Sequence, residues 1–141
     1  MGNGYGYICK KCKKEKNILY GVGFLGYKEY YTENKFNELI EMGKEEKLKN
    51  IVNLEDFLKL ENVSLKDGYG YDAYICPKCN FIDNKFRYIL YSNNKIFIPK
   101  YSCKYCENDL RIKKSKEDFK LKCDFCGSTD FEKESYLINW D

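Results

Sequence analysis

Residues 68–79 read Gly68-Tyr69-Gly70-Tyr71-Asp72-Ala73-Tyr74-Ile75-Cys76-Pro77-Lys78-Cys79. A shorter version, Gly4-Tyr5-Gly6-Tyr7-Ile8-Cys9-Lys10-Lys11-Cys12, stands near the start of the chain. Each is an aromatic run of strand character ending in Cys-x-x-Cys. Two thiolates three positions apart in a tight turn hold two corners of a tetrahedral ion. Two further pairs follow, Cys103/Cys106 and Cys123/Cys126, so all eight cysteines fall into four such knuckles. Eight thiolates make two closed four-cysteine sites with none left over, which implies two structural zinc ions per chain. Iron is the alternative metal, because ligand type does not separate the two.

Spacing favours sequential pairing of the knuckles. Sixteen residues separate Cys106 from Cys123, inside the window for a zinc site built from two Cys-x-x-Cys units. Leu110-Arg111-Ile112 and Phe119-Lys120-Leu121-Lys122 alternate as strands, so the expectation is a knuckle, a hairpin and a second knuckle. That arrangement resembles a zinc ribbon, and Cys123 to Phe131 (CDFCGSTDF) is especially similar to a ribbon's second knuckle. Cys9/Cys12 then pairs with Cys76/Cys79 across sixty-three residues, an expectation supported by the two matching strands that lead into them. The rival pairing joins Cys76/Cys79 to Cys103/Cys106 and Cys9/Cys12 to Cys123/Cys126. In its favour, Phe86–Tyr91 and Ile96–Ile98 read as a hairpin turning at Ser92-Asn93-Asn94. Gly127 suits the positive φ often needed after a knuckle. Asn80 tolerates it, whereas Lys13 and Glu107 adopt it at a cost.

Between the first two knuckles, Gly21-x-Gly23-x-x-Gly26 lacks the helix and acidic residue of a nucleotide fingerprint and reads as a strand leaving through a bend. Residues 32–60 read as two or three short amphipathic helices inserted into the first metal unit. Thr32 caps the first, Phe36, Leu39 and Ile40 form its face, and Gly43 stops it. Leu48, Ile51 and Val52 continue the spacing, and Asn53-x-x-Asp56 starts a further turn with Leu54, Phe57 and Leu58. These helices are expected to cover one face of the sheet, an interaction groove being the alternative. Tyr136–Trp140 reads as a last strand. Pro99, the one proline outside a knuckle, marks a junction between a 1–98 unit and a 99–141 C-terminal ribbon. The fold class is α+β, with small antiparallel sheets of zinc-ribbon type, two four-cysteine sites and a short helical insertion.

The chain's 141 residues contain no histidine. This removes the usual general base, the Ser/His and Cys/His nucleophile pairs and mixed Cys/His metal sites. A thioredoxin-like dithiol needs one Cys-x-x-Cys opening a helix, unlike four knuckles in strand-to-turn context. Glu45-Glu46 and Glu117-Asp118 lie in lysine-rich runs and read as solvated. The expectation is therefore a protein that is not an enzyme. No apolar run is long enough to span a membrane, and the opening lacks the basic-then-apolar order of a signal peptide. A cytoplasmic location with reduced thiols is expected.

The formal charge is +3, but each zinc held by four thiolates carries a net −2, so two sites bring the total to −1. Lysines around the first knuckle (Lys10, Lys11, Lys13, Lys14, Lys16) and the run Arg111, Lys113, Lys114, Lys116 are placed to offset thiolate charge. With Tyr5, Tyr7, Tyr105 or Phe125 stacking on bases, the same clusters would contact nucleic acid. Against this, residues 27–66 carry seven basic and nine acidic groups, and 103–141 eight and nine. Tyr7-Ile8-Cys9 and Tyr74-Ile75-Cys76-Pro77-Lys78-Cys79 resemble rubredoxin knuckles, although the sixty-three-residue gap exceeds the rubredoxin spacing. The whole chain resembles small uncharacterised bacterial zinc-ribbon proteins with four Cys-x-x-Cys motifs. The resemblance brings no established activity; the residues themselves are read as those of a metal-binding adaptor for a protein partner, with a nucleic-acid-binding ribbon or a rubredoxin-like iron carrier as alternatives.

Overall fold

The computed structural model describes residues 2–21 and 36–140. Thr32, Glu33 and the glycines Gly23 and Gly26 lie outside them. Among the described residues nine strands and two helices follow in order: β1 (Gly2–Cys9), β2 (Glu15–Gly21), α1 (Asn37–Glu45), α2 (Ile51–Phe57), β3 (Val63–Leu65), β4 (Gly70–Ile75), β5 (Ile82–Arg87), β6 (Leu90–Ser92), β7 (Lys95–Phe97), β8 (Arg111–Ile112) and β9 (Phe131–Trp140). The pairings are antiparallel and build an α+β fold with two sheets.

The larger sheet runs β5-β4-β2-β1-β9, with β8 also on β4. Its backbone is two knuckle-tipped hairpins, β1–β2 and β4–β5. The repeated glycines explain how the hairpins meet. Gly21 (φ 81°) bends the end of β2, and Gly21 pairs with Tyr71. A Cβ on Gly70 would lie 2.7 Å from the Gly21 carbonyl carbon, so this close backbone approach needs glycine. Past that point the ladder is continued by a side chain. Asn84 Oδ1 accepts from the Leu19 amide at 2.9 Å, while Nδ2 donates to the Leu19 and Asp72 carbonyls, each at 2.9 Å.

The smaller sheet, β3-β6-β7, carries the helices. Leu39 of α1 and Leu54 of α2 pack with Leu48, Leu65, Leu90 and Phe97 in the main core, and Phe57 meets Phe97 with ring centroids 5.9 Å apart. The two helices thus bury their apolar faces beside the small sheet, not on a sheet of the first knuckle's own as the sequence reading expected. Two further details differ from the sequence reading. Gly43 lies inside α1, where a Cβ would come 2.7 Å from Ile51 Cδ1. The helix instead ends at Glu45 with Glu46 as its cap, and Lys47 (φ 56°) makes the turn beyond it, the Leu48 amide donating to the Gly43 carbonyl at 2.7 Å and the Lys47 amide to the Lys44 carbonyl at 3.4 Å. This is the Schellman bond pattern with lysine where glycine is usual. The separate turn expected at Asn53 is absorbed into α2, which already runs from Ile51 to Phe57.

The hairpin expected at Ser92-Asn93-Asn94 is present as β6–β7, with Asn93 at φ 55°. The run Phe86–Tyr91 is divided, however, because β5 stays in the large sheet and β6 enters the small one. Residues on both sides of Pro99 share the large sheet through β8 and β9. The chain around Pro99 is also tied to residues 48–50: the Lys49 amide donates to the Lys100 carbonyl at 2.8 Å, and Asn50 Nδ2 to the Ile98 carbonyl at 3.0 Å. Among the described residues, no helix is long and apolar enough to cross a membrane.

Both carboxylate pairs read as solvated contain a committed member. Glu46, at the end of α1, accepts the Phe86 amide through Oε2 at 3.4 Å, and burial, opposed by that bond and by Lys85, raises its pKa. Glu117 is bound by the Arg111 guanidinium and accepts the Lys114 amide, with the Arg111 bonds first among the causes that lower it to about 2.

Two outcomes are expected. Asn84→Ala leaves the Leu19 amide and carbonyl without their partner and lowers the unfolding free energy by roughly 2 kcal/mol, read by denaturant titration of metal-loaded protein. For Glu46, a pKa raised in the folded state means the native chain holds the proton more tightly than the unfolded chain. Its contribution to stability is therefore present below the ordinary carboxylate value and lost as pH rises through the raised value. Glu46→Gln should raise the melting temperature at pH 7, and the gain should shrink as pH falls toward the carboxylate range.

Candidate metal centres

All four knuckles close with the same backbone bonds. The amide four residues after the first cysteine donates back to that cysteine's carbonyl: Lys13 to Cys9 at 2.9 Å, Asn80 to Cys76 at 2.9 Å, Glu107 to Cys103 at 2.8 Å and Gly127 to Cys123 at 2.9 Å. The first cysteine's own amide donates to the carbonyl five residues on, at 2.7–3.1 Å: Lys14, Phe81, Asn108 and Ser128. The residue that makes the turn has positive φ every time, 66° at Lys13, 65° at Asn80, 64° at Glu107 and 74° at Gly127. Lysine and glutamate therefore take the left-handed conformation that the sequence reading marked as costly.

The knuckles combine as Cys9, Cys12, Cys123 and Cys126 in one site, and Cys76, Cys79, Cys103 and Cys106 in the other. This overturns the sequential pairing in favour of the nested one. The cause lies in strand pairing. β9 follows the last knuckle and pairs with β1, setting Phe131 opposite Cys9, while the Lys10 amide reaches the Asp130 carbonyl at 2.9 Å. β8 follows the third knuckle and pairs with β4, setting Arg111 opposite Ile75. Each site is thus a hairpin tip completed by a later knuckle whose outgoing strand adds to the same sheet. The hairpin expected between Cys106 and Cys123 does not form: Arg111–Ile112 lies on β4, and Lys120 bonds with Asn80 and Ile82 at 2.8 and 2.9 Å.

Within the sites the sulfurs stand close: Cys9–Cys126 and Cys12–Cys123 at 3.5 Å, Cys76–Cys106 at 3.3 Å, Cys79–Cys103 at 3.5 Å and Cys79–Cys106 at 3.9 Å. A tetrahedron with bonds of about 2.3 Å from metal to sulfur has edges of about 3.8 Å, so the donor sets fit a four-thiolate ion. The first cysteine of each knuckle is buried and the second half-buried. Backbone amides point at the sulfurs: those of Cys12 and Lys11 at Cys9, and that of Lys14 at Cys12. The Cys12 amide is the main reason Cys9 is lowered to about 6. Cys106 is also lowered to about 6, first by Asn108, whose Nδ2 lies 3.2 Å from the sulfur. Burial and the three neighbouring sulfurs push Cys79 up to about 12, against the Phe81 amide. Without a cation each site thus retains protons that an incoming metal displaces.

The two sites are joined. Asp124, within the last knuckle, accepts from Lys104 of the third at 2.8 Å and lies 3.8 Å from Lys16. Lys122 Nζ lies 4.7 Å from the Tyr105 ring centre and 5.7 Å from that of Phe81. Several knuckle lysines are therefore engaged with the opposing knuckle, consistent with a local role beside thiolate charge. Sequence reasoning missed Asn108 and Asn84; Asn108 could be noticed as an asparagine two places after a knuckle, whereas Asn84 is one of four polar residues in β5 (Ile82–Arg87) and carried no signal of its own.

No protein-family model matches the chain, and no curated protein or solved structure matches it either. The geometry alone defines the class, a β-rich protein with two four-cysteine clusters compatible with zinc-ribbon sites.

Lys13→Gly and Glu107→Gly should each stabilise the metal-loaded protein by about 0.5–1 kcal/mol, because glycine removes the left-handed cost and loses some of that gain to its greater freedom when unfolded. Asn80→Gly should change less. Thermal unfolding at fixed metal checks all three.

Proposed function

We propose that this chain is a zinc-binding protein whose two four-thiolate sites are structural, and that it is an interaction module rather than an enzyme. The reading rests on one observation: two sets of four sulfurs, 3.3–3.9 Å apart along the measured edges, take up all eight cysteines. Four thiolates complete a zinc tetrahedron and leave no open position for a water or substrate, the arrangement of a structural site. The same donors accept iron, which would give a rubredoxin-like one-electron carrier.

A protein is the partner class favoured here. Val52 and Ile96 are 65% and 56% exposed, and Ile96 lies with Phe57 and Leu60 along one shallow groove between α2 and β7. β7 is also the edge strand of its sheet, an edge on which another chain can add. A nucleic-acid reading is carried by Phe125, 73% exposed at a knuckle tip with Lys14 Nζ 5.2 Å from its ring centre. Stacking there would give salt-dependent binding lost in Phe125→Ser.

Elemental analysis of purified protein should find two zinc ions per chain and no visible colour. Strong visible absorbance with stoichiometric iron would replace the zinc reading with the electron carrier. Structural zinc contributes on the order of 10 kcal/mol of apparent folding free energy per site. Exhaustive chelation should therefore abolish the near-UV dichroism of the tyrosine-rich core, and a fully retained signal would contradict a structural role.

A further inference from the structure

A cavity of about 610 Å³ opens beside the second metal site, between the turn before β4, the end of β5 and the segment from Ile98 to Ile112. Its position is set by the fold already described. β8 draws residues 110–112 onto β4, while the ties from Asn50 to Ile98 and Lys100 hold Pro99 on the opposite side. The volume lies within the range typical of small-molecule sites.

The wall is aromatic and aliphatic. Tyr69, Tyr74, Tyr88 and Tyr101 contribute to it, with Leu110 and Pro99 between them. Tyr74 and Tyr101 meet edge to face with centroids 5.4 Å apart, and the Tyr101 hydroxyl donates to the Phe86 carbonyl at 2.7 Å, so this part of the wall is fixed. Tyr88 is buried, and among the described residues its hydroxyl is a side-chain polar atom with no hydrogen-bond partner. Because Tyr74, Tyr88 and Tyr101 are themselves buried, the open apolar surface of the cavity comes mainly from Tyr69 and Leu110, both half-buried, and from exposed Ile98 and Ile112.

The rim is basic. Lys66, Arg87, Lys100 and Arg111 line the cavity against two carboxylates, Asp67 and Asp109. Arg87 is engaged by Asp72 at 3.3 Å, Arg111 by Glu117, and Asp109 by Lys49 at 2.6 Å. Among the described residues the Lys100 ammonium makes no direct salt bridge, though after Lys49 it helps hold Asp109 below the usual carboxylate range, and the Lys66 ammonium rests 5.9 Å from the Tyr91 ring centre. Lys66 and Lys100, both exposed, thus stand at the rim of the cavity.

We propose that this cavity binds a small aromatic anion, its planar ring body against the apolar wall and its carboxylate, sulfonate or phosphate group at Lys66 and Lys100. The charge and the apolar wall both carry the assignment, since a neutral ring would use only the wall and a bare inorganic anion only the rim. The site is independent of the metal donors, and its test uses the metal-loaded full chain.

The probe is 8-anilinonaphthalene-1-sulfonate, with uncharged N-phenyl-1-naphthylamine as the matched control. The sulfonate should bind saturably, one per chain, with unchanged near-UV dichroism. Lys66→Gln/Lys100→Gln, at two exposed positions, should weaken the sulfonate at least tenfold and leave the neutral amine unchanged. Ile98→Trp, at the mouth of the cavity, should weaken both. Benzoate or adenosine monophosphate should displace the sulfonate competitively, and the better displacer shows whether the natural anion is a carboxylate or a phosphate. Several sulfonates per chain, equal affinity in the lysine variant, loss of binding in Phe125→Ser or Ile96→Asp instead, or displacement by neither compound would each overturn the proposal.

Discussion

Four thiolates gathered within 4.8 Å of one another repel strongly unless a cation sits among them. That constraint governs this fold. Each knuckle supplies only two sulfurs, so a closed site requires two knuckles to be carried to the same place. The sheet does the carrying: β9 on β1 brings the last knuckle to the first, and β8 on β4 brings the third to the second. Amides and the Asn108 side chain then face the sulfurs, so that part of the thiolate charge is already met by fixed dipoles before a metal arrives.

The sites are nested, and nesting has an energetic consequence. The inner site closes a loop of twenty-three residues, the outer one of 110. Chain-entropy scaling makes the outer closure costlier by roughly 1.4 kcal/mol. The long β1–β9 ladder offsets that cost, pairing residues on both sides of a bulge between Tyr5 and Tyr7. The inner site has the two-residue β8, the Tyr101–Phe86 hydrogen bond and the Tyr74–Tyr101 ring contact to help it, and its shorter loop needs less help. The Lys104–Asp124 contact and the strand-like passage of Lys120 beside Phe81 then join the two centres into one unit.

Much of this was legible in the chain. Cys-x-x-Cys is a local signal because the turn that aims two sulfurs is made by consecutive residues, and all four knuckles have one geometry. The strands β1, β4 and β9, the β6–β7 hairpin and the apolar faces of α1 and α2 are local patterns too. The glycine rules were less reliable. Gly43 was read as a stop, yet it serves close packing on Ile51, while Lys47, Lys13 and Glu107 hold positive φ because the bonds around them outweigh the strain. Glu46 likewise gave no local sign of its burial.

The sequence by itself determined that this is a protein of two four-cysteine sites with no histidine chemistry, since ligand number and spacing are properties of short segments. The repeat of Gly-Tyr-Gly-Tyr and Ile-Cys was visible as well, but its meaning was not. It reads as two halves of one site and is in fact the same half of two sites. Only the tertiary structure decided this, because pairing depends on which distant strands share a sheet, and strand pairing is fixed by backbone bonds whose partners no local pattern names. The close approach of Gly70 to Gly21, the Asn84 bridge and the cavity between β4, β5 and the Pro99 segment belong to that same level, for each exists only once elements far apart in the chain are brought into contact.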